Sequence, residues 1–204
     1  SQYLPSDFKG KLILEMGDLY SKNYYLTYKN LNFLNPLKYI YLLESYLVKK
    51  KEMELFSKFD RIILYSKNEI KTINNKFKKK IYFLTESIDK INKDKFVFSK
   101  KNNKIIFIGN LNYLPNILAC KEFIYSVIPR LVKFLPDLKF YVIGNIKLID
   151  KFILSFNKNV KILGEQKNIE RYMGNSICGI SNLRVASGVQ GKILTYMSFG
   201  LPVI

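Results

Sequence analysis

The residues best suited to chemistry lie in residues 181–204, S-N-L-R-V-A-S-G-V-Q-G-K-I-L-T-Y-M-S-F-G-L-P-V-I. A small-residue loop, Ala186, Ser187 and Gly188, runs directly into a predicted helix over 189–199, which Gly200 stops. Backbone N–H groups at a helix start lack intrahelical partners, and the helix dipole is positive there, so a diphosphate fits such a position. Lys192 falls within about the first turn and adds positive charge, and Arg184 can approach from the loop. The same residues also describe an ordinary glycine turn followed by a solvated lysine. Composition and spacing leave both readings open.

The elements that would position these residues alternate between strand and helix. From 104 onward, strands are predicted at 104–108, 138–143, 160–163 and 177–180, with helices at 115–134, 146–156 and 169–173 between them, and a further strand begins at 202. Pro115 opens the first helix, and Pro136 follows its end. This alternation implies parallel pairing with right-handed crossovers. Gly109, Gly144 and Gly164 close three successive strands, and ligands of such sheets bind beyond the carboxyl ends of the strands. Earlier in the chain, strands are predicted at 11–15, 61–65 and 80–84 and a helix at 37–59. In that helix Ile40, Leu43, Tyr46 and Leu47 recur at helical spacing, while Lys49, Lys50, Lys51, Glu52 and Glu54 form the outer face. Ser66 is placed to cap a helix over 67–77, with Glu69 as its capping-box partner. Residues 86–103 are polar and read as a linker, which gives domains at 1–98 and 99–204. The fold class is α/β, with two doubly wound parallel-sheet domains. The sequence stops within what reads as a central strand, so both domains are expected to be incomplete and the sequence a fragment.

Several matches in residues 181–204 resemble the nucleotide-sugar-binding motif of retaining, family-4-type GT-B glycosyltransferases (glycosyl transferases group 1). One subgroup has a serine-glycine loop, a lysine, a helix with a methionine and a Gly-Leu-Pro-Val close. Ser187, Gly188, Lys192, Met197, Gly200, Leu201, Pro202 and Val203 match it. Residues 105–116, I-I-F-I-G-N-L-N-Y-L-P-N, resemble the subgroup's first donor-domain unit through Gly109, Tyr113, Pro115 and Asn116. The resemblance covers 104–204 well and is weaker over 11–85.

The resemblance implies two Rossmann-like domains, an acceptor-side one at 1–98 and a donor one at 99–204, with the site in the cleft between them. It implies sugar transfer, with retention, from a UDP- or GDP-linked donor to a glycan or lipid-linked acceptor in cell-envelope polysaccharide synthesis. Gly109 and Asn110 would let the sugar diphosphate approach the first strand end. Gly188, Val189 and Gln190 would offer backbone donors, and Lys192 with Arg184 would neutralise the leaving phosphate. No cofactor and no metal are implied. Two departures stand out. Many relatives carry two glutamates eight residues apart where this chain has Ser187 and Thr195, and a hydroxyl bonds ribose without the charge-assisted strength of a carboxylate. Relatives also place Arg and Lys after the first strand, where Asn110 and Asn112 stand here. On the acceptor side Asp18 follows an apparent strand. It is a cleft candidate or simply a turn aspartate.

Composition narrows the alternatives. The net charge of +18 would suit nucleic acid or an anionic membrane, but 30 of the 34 basic residues are Lys. Arg, the preferred residue for bidentate phosphate and base contacts, is scarce, and the two halves of the chain each carry +9. Codon bias explains this better than nucleic acid, while peripheral contact with an anionic membrane stays compatible with it. The absence of His excludes a His-based triad within these residues, and two Cys are too few for a disulfide framework, which fits a reducing cytoplasm. No apolar run reaches membrane-spanning length and no secretory leader is visible, so a cytoplasmic location, peripheral at the inner membrane face, is expected. Two other readings use the same fold: a nucleotide-sugar epimerase or hydrolase, and a catalytically silent scaffold, which Thr195 motivates.

Overall fold

The computed structural model describes residues 7–88, 103–184 and 190–204. The chain divides into two compact units, the first reaching Glu86 and including Gln190, the second made of Ser87–Arg184 and Gly191–Ile204. The expected boundary between 98 and 99 falls among 89–102, outside the described residues.

The first unit holds β1 (Ile13–Met16), α1 (Tyr20–Asn30), α2 (Leu37–Lys58), β2 (Arg61–Leu64), α3 (Lys67–Ile70), a 3₁₀ turn (Asn75–Lys80) and β3 (Ile81–Phe83). Its strands form a parallel sheet in the order β1-β2-β3. Alternate residues point one way, so Met16, Ile62 and Leu64 meet Phe56 of α2, Ile73 and Phe77 in one core. The other face of this sheet presents Ile13, Glu15 and Tyr82 as exposed side chains.

Three expectations for this unit need revision. The predicted helix over 67–77 is only α3. Ser66 Oγ does accept from the Glu69 N–H at 3.3 Å, but the Glu69 side chain turns to the Leu19 N–H at 3.1 Å. Asn74 then caps the 3₁₀ turn, its Oδ1 accepting from the Lys76 N–H at 3.0 Å, because asparagine competes with the helix for backbone donors. Glu52 belongs to the buried face of α2, not the outer one, and the stripe Ile40, Leu43, Tyr46 and Leu47 is exposed. The helix meets its surroundings through Ser45, Glu52 and Phe56 instead.

The second unit holds β4 (Lys104–Ile108), α4 (Leu114–Glu122), a π turn (Phe123–Val127), α5 (Ile128–Leu131), β5 (Lys139–Ile143), α6 (Leu148–Ser155), β6 (Val160–Gly164), α7 (Glu170–Met173), β7 (Ser176–Gly179) and α8 (Gly191–Ser198). The sheet is parallel throughout in the order β6-β5-β4-β7, and a parallel bridge from Gly179 to Val203 extends it. It is doubly wound. Ile105, Phe107, Phe140 and Val142 face one core with residues of α4 and α6, while Ile106 and Ile143 face another with Met173, Tyr196 and Phe199. The helix predicted over 115–134 is interrupted. Pro129 has no N–H and its ring crowds the carbonyl four residues back, so the chain widens into the π turn just before it. Chain order reverses at β4, which continues to β5 on one side and lies beside β7 on the other. In such sheets this switch point opens a crevice at the carboxyl ends.

Candidate functional site

The carboxyl end of β4 is built by close backbone approach. The Gly109 N–H donates to the Ile143 carbonyl at 3.0 Å, and the Leu111 N–H donates to the Asn145 carbonyl at 2.7 Å. Gly144 has φ +139°, and a Cβ there would stand 1.9 Å from the Gly109 carbonyl oxygen, so only glycine fits. Asn110 makes a turn on itself, its Oδ1 accepting from the Asn112 N–H at 3.0 Å. A Cβ at Gly109 would meet the Asn116 amide at 3.0–3.2 Å. Gly109 and Gly144 thus let the β4 and β5 loops touch.

Lys192 enters this edge from α8. Its Nζ donates to Asn116 Oδ1 at 2.7 Å and lies 4.3 Å from the centre of the Phe107 ring, within cation–π distance. Asn116 Nδ2 in turn donates to the Asn110 carbonyl at 2.9 Å. Burial pushes the Lys192 ammonium down to about 8. Among the described residues no carboxylate forms an ion pair with it. A half-buried cation with no counter-ion among the described residues, beside a helix start and a strand-end glycine, is chemically ready for an anion.

Helix α8 is held in place by Tyr196, one turn after Lys192. The Tyr196 hydroxyl accepts from the Ile108 N–H at 2.7 Å and donates to the Ile180 carbonyl at 3.3 Å. Its ring lies on Gly179, where a Cβ would come within 2.3–2.5 Å of ring carbons. Gly200, at φ +69°, ends α8 in a Schellman motif: its N–H bonds the Met197 carbonyl, and the Leu201 N–H bonds the Tyr196 carbonyl.

The structure thus brings Gly109, Asn110 and Lys192 together. Ser187, Gly188 and Val189 lie outside the described residues, and Gln190 is half-buried just before α8. Thr195 is half-buried, and its hydroxyl donates to the Gly191 carbonyl at 3.0 Å. Arg184 is turned onto Glu122 at the end of α4, where two of its nitrogens bond the two carboxylate oxygens on the surface. The phosphate charge expected of Arg184 is committed there to a carboxylate. Asn116, Phe107, Tyr196 and Glu122 have roles that residue spacing did not indicate. The Pro115-Asn116 helix start was a visible signal, but not the target of its amide.

In the first unit Asp18 follows β1. Burial is the main cause that raises its carboxyl above the usual range. The Asn23 side chain opposes the shift and the Glu86 charge adds to it. Two buried carboxylates brace the turn that carries it: Glu69 accepts from the Leu19 N–H, and Glu52 accepts from the Ser21 N–H at 3.0 Å and hydroxyl at 2.5 Å. These satisfy the open start of α1. A mostly apolar groove of about 980 Å³ lies beside it, lined by Tyr25, Leu43, Tyr46, Met53 and Phe56 among others.

Comparison with known proteins gives this geometry a context. Residues 102–204 match the family model described as glycosyl transferases group 1. No curated protein sequence matches the chain. Among solved structures, a mutant of TarM from S. aureus in complex with Fondaparinux, alpha-GlcNAc-glycerol and UDP is similar at a TM-score of 0.62 and 16% identity, over 76% of this chain and 31% of that one. Anabaena Alr3699/HepE in complex with UDP and glucose gives a TM-score of 0.62 at 12% identity, over 95% and 52%. The pneumococcal O-GlcNAc transferase GtfA in complex with UDP and GlcNAc gives 0.55 at 17%, over 72% and 30%. At these identities the likeness concerns the fold, which is that of GT-B glycosyltransferases. The chain spans less than a third of the TarM and GtfA chains and about half of HepE.

Proposed function

The chain belongs to the glycosyl transferases group 1 family, and from that premise we propose that it is the part of a retaining glycosyltransferase that binds the nucleotide-sugar diphosphate. The observation that carries this reading is the Lys192 ammonium, half-buried with no carboxylate partner among the described residues, at the carboxyl end of β4. The leaving nucleoside diphosphate gains negative charge as the glycosidic bond breaks. A cation and N–H dipoles already in place lower that barrier without reorganising. Lys192 supplies the charge in this reading, and the backbone from Gly188 to Gln190 and the start of α8 supply the donors. Gly109 and Asn110 give the diphosphate room to approach. No resident metal or cofactor is required. The donor is UDP- or GDP-linked, with UDP favoured because TarM, HepE and GtfA are each described with UDP. The acceptor is a glycan or lipid-linked glycan of the cell envelope, with Asp18 the candidate on that side. The protein works in the cytoplasm, peripherally at the membrane. Among the described residues no helix is long and apolar enough to cross one.

The test is thermal unfolding of the full-length protein against UDP, GDP, ADP and their sugars. A ligand at about 100 times its dissociation constant stabilises by roughly 2.7 kcal/mol. A shift with one nucleotide family supports the donor site, and none from a folded protein removes it. One observation favours a second reading, that of a catalytically silent scaffold. At the position where many relatives carry a ribose-binding glutamate, the Thr195 hydroxyl donates its proton to its own helix. That reading expects no turnover with any donor. A third, an epimerase or hydrolase, expects turnover without an acceptor.

A further inference from the structure

The side chain of Asn116 is buried and uses both ends of its amide: Nδ2 on the Asn110 carbonyl, and Oδ1 beneath the Lys192 ammonium. Only this orientation is satisfied. Turned over, the amide would place its NH₂ against an ammonium and its oxygen against a carbonyl. Gly109 leaves room for it, since a Cβ there would press on the amide at 3.0–3.2 Å. The neighbouring Cys120 thiol is pushed up to about 12 by burial, so it stays neutral beside Lys192. An amide orients a cation without neutralising it, whereas a carboxylate at this place would cancel the charge an incoming phosphate needs.

We propose that Asn116 is the positioning residue for Lys192, holding the ammonium at the end of β4, charged and paired with no carboxylate among the described residues, for the diphosphate. This rests on the donor-site reading above. Asn116 also transmits the Asn110 turn to the cation. A change at Gly109 or Asn110 therefore alters Lys192 without touching it.

The test uses the full-length protein and two readouts. The first is independent of nucleotide: the pH dependence of Lys192 modification by an amine-reactive reagent, followed by peptide mass spectrometry. In the unsubstituted protein the midpoint is expected at about 8. In Asn116→Asp the new carboxylate raises it by about one unit or more, so the reactive fraction at pH 7 falls roughly tenfold. The second readout is UDP affinity by calorimetry, expected to fall about tenfold or more in both Asn116→Asp and Asn116→Leu, the loss for a charged hydrogen bond. Should Asn116→Asp fail to fold, Asn116→Leu removes the acceptor and is expected to lower the midpoint, because the ammonium loses its hydrogen bond. An unchanged midpoint in a folded variant overturns the proposal. So does a moved midpoint with unchanged UDP affinity. A moved midpoint in a protein that never binds UDP or GDP removes the donor-site reading, and with it the ligand role, but shows that Asn116 governs Lys192.

Discussion

Lys192 Nζ lies 2.7 Å from Asn116 Oδ1, a bond between residues 76 apart in sequence. It joins the first turn of α8 to the first turn of α4, the helix that follows the strand at which chain order reverses. The bond fixes where a cation stands relative to the end of β4.

Replacing that cation has a defined cost. Lys192→Ala is expected to weaken nucleoside diphosphate binding by about 1.5–3 kcal/mol, the range for a hydrogen bond to a charged group. Calorimetric titration with UDP checks it, and an unaltered dissociation constant takes Lys192 out of the phosphate site.

The same lysine makes binding and stability depend on pH in opposite directions. Burial lowers it from 10.5 to about 8, so nucleotide affinity is expected to fall as pH rises through about 8. Between about 8 and 10.5 the unfolded chain binds the extra proton, so this group's contribution to stability rises with pH and is level below about 8. Cys120 and Cys178, raised by burial to about 12 and about 11, act the other way above their ordinary value of 9.0. The comparison to make is urea unfolding of the parent and Lys192→Met at pH 7.5, 8.5 and 9.5. The gain on going to Met should shrink across that series, and a constant gain contradicts the assignment.

Helix α8 depends on a ring lying on a glycine. Gly179→Ala would place a Cβ 2.3–2.5 Å from the Tyr196 ring and should cost about 1–3 kcal/mol as overpacking. Tyr196→Phe leaves the Ile108 N–H without its acceptor, at about 1–3 kcal/mol. Chemical denaturation of both variants checks this, with hydrogen exchange at Ile108 expected to quicken in the second.

The turn before α1 rests on a buried acid. Glu52→Ala removes two bonds to Ser21 and should destabilise by about 1.5–3 kcal/mol, while Ser21→Ala should cost about 1 kcal/mol. Equal and negligible losses in urea melts would mean that Glu52 does not brace the turn carrying Asp18.

Thr195→Glu tests the departure from the family pattern directly. A carboxylate at this half-buried position should tighten UDP binding through charge-assisted bonds to ribose, about twofold stronger than neutral ones. Looser binding by a folded variant places Thr195 away from the ribose.

The sequence determined much of this by itself. Alternation of apolar runs with helical spacing pointed to the parallel sheet from 104 onward, and Gly109, Gly144 and Gly164 marked the carboxyl ends of three of its strands, because strand and helix periods and backbone freedom are local properties. The motif around Lys192 named the family. The misjudged spans also had local causes: Pro129 turns the helix after Pro115 into a π segment, and Asn74 ends the one after Ser66. What only the tertiary structure decided is which polar groups meet. Lys192 reaches Asn116, Arg184 turns to Glu122, and Glu52 leaves the outer face of α2 for Ser21. Periodicity records which side of an element is apolar. It carries no record of the partner that a buried amide or carboxylate finds across the fold, because that choice is made by packing between elements distant in sequence and by the cost of leaving such a group unpaired.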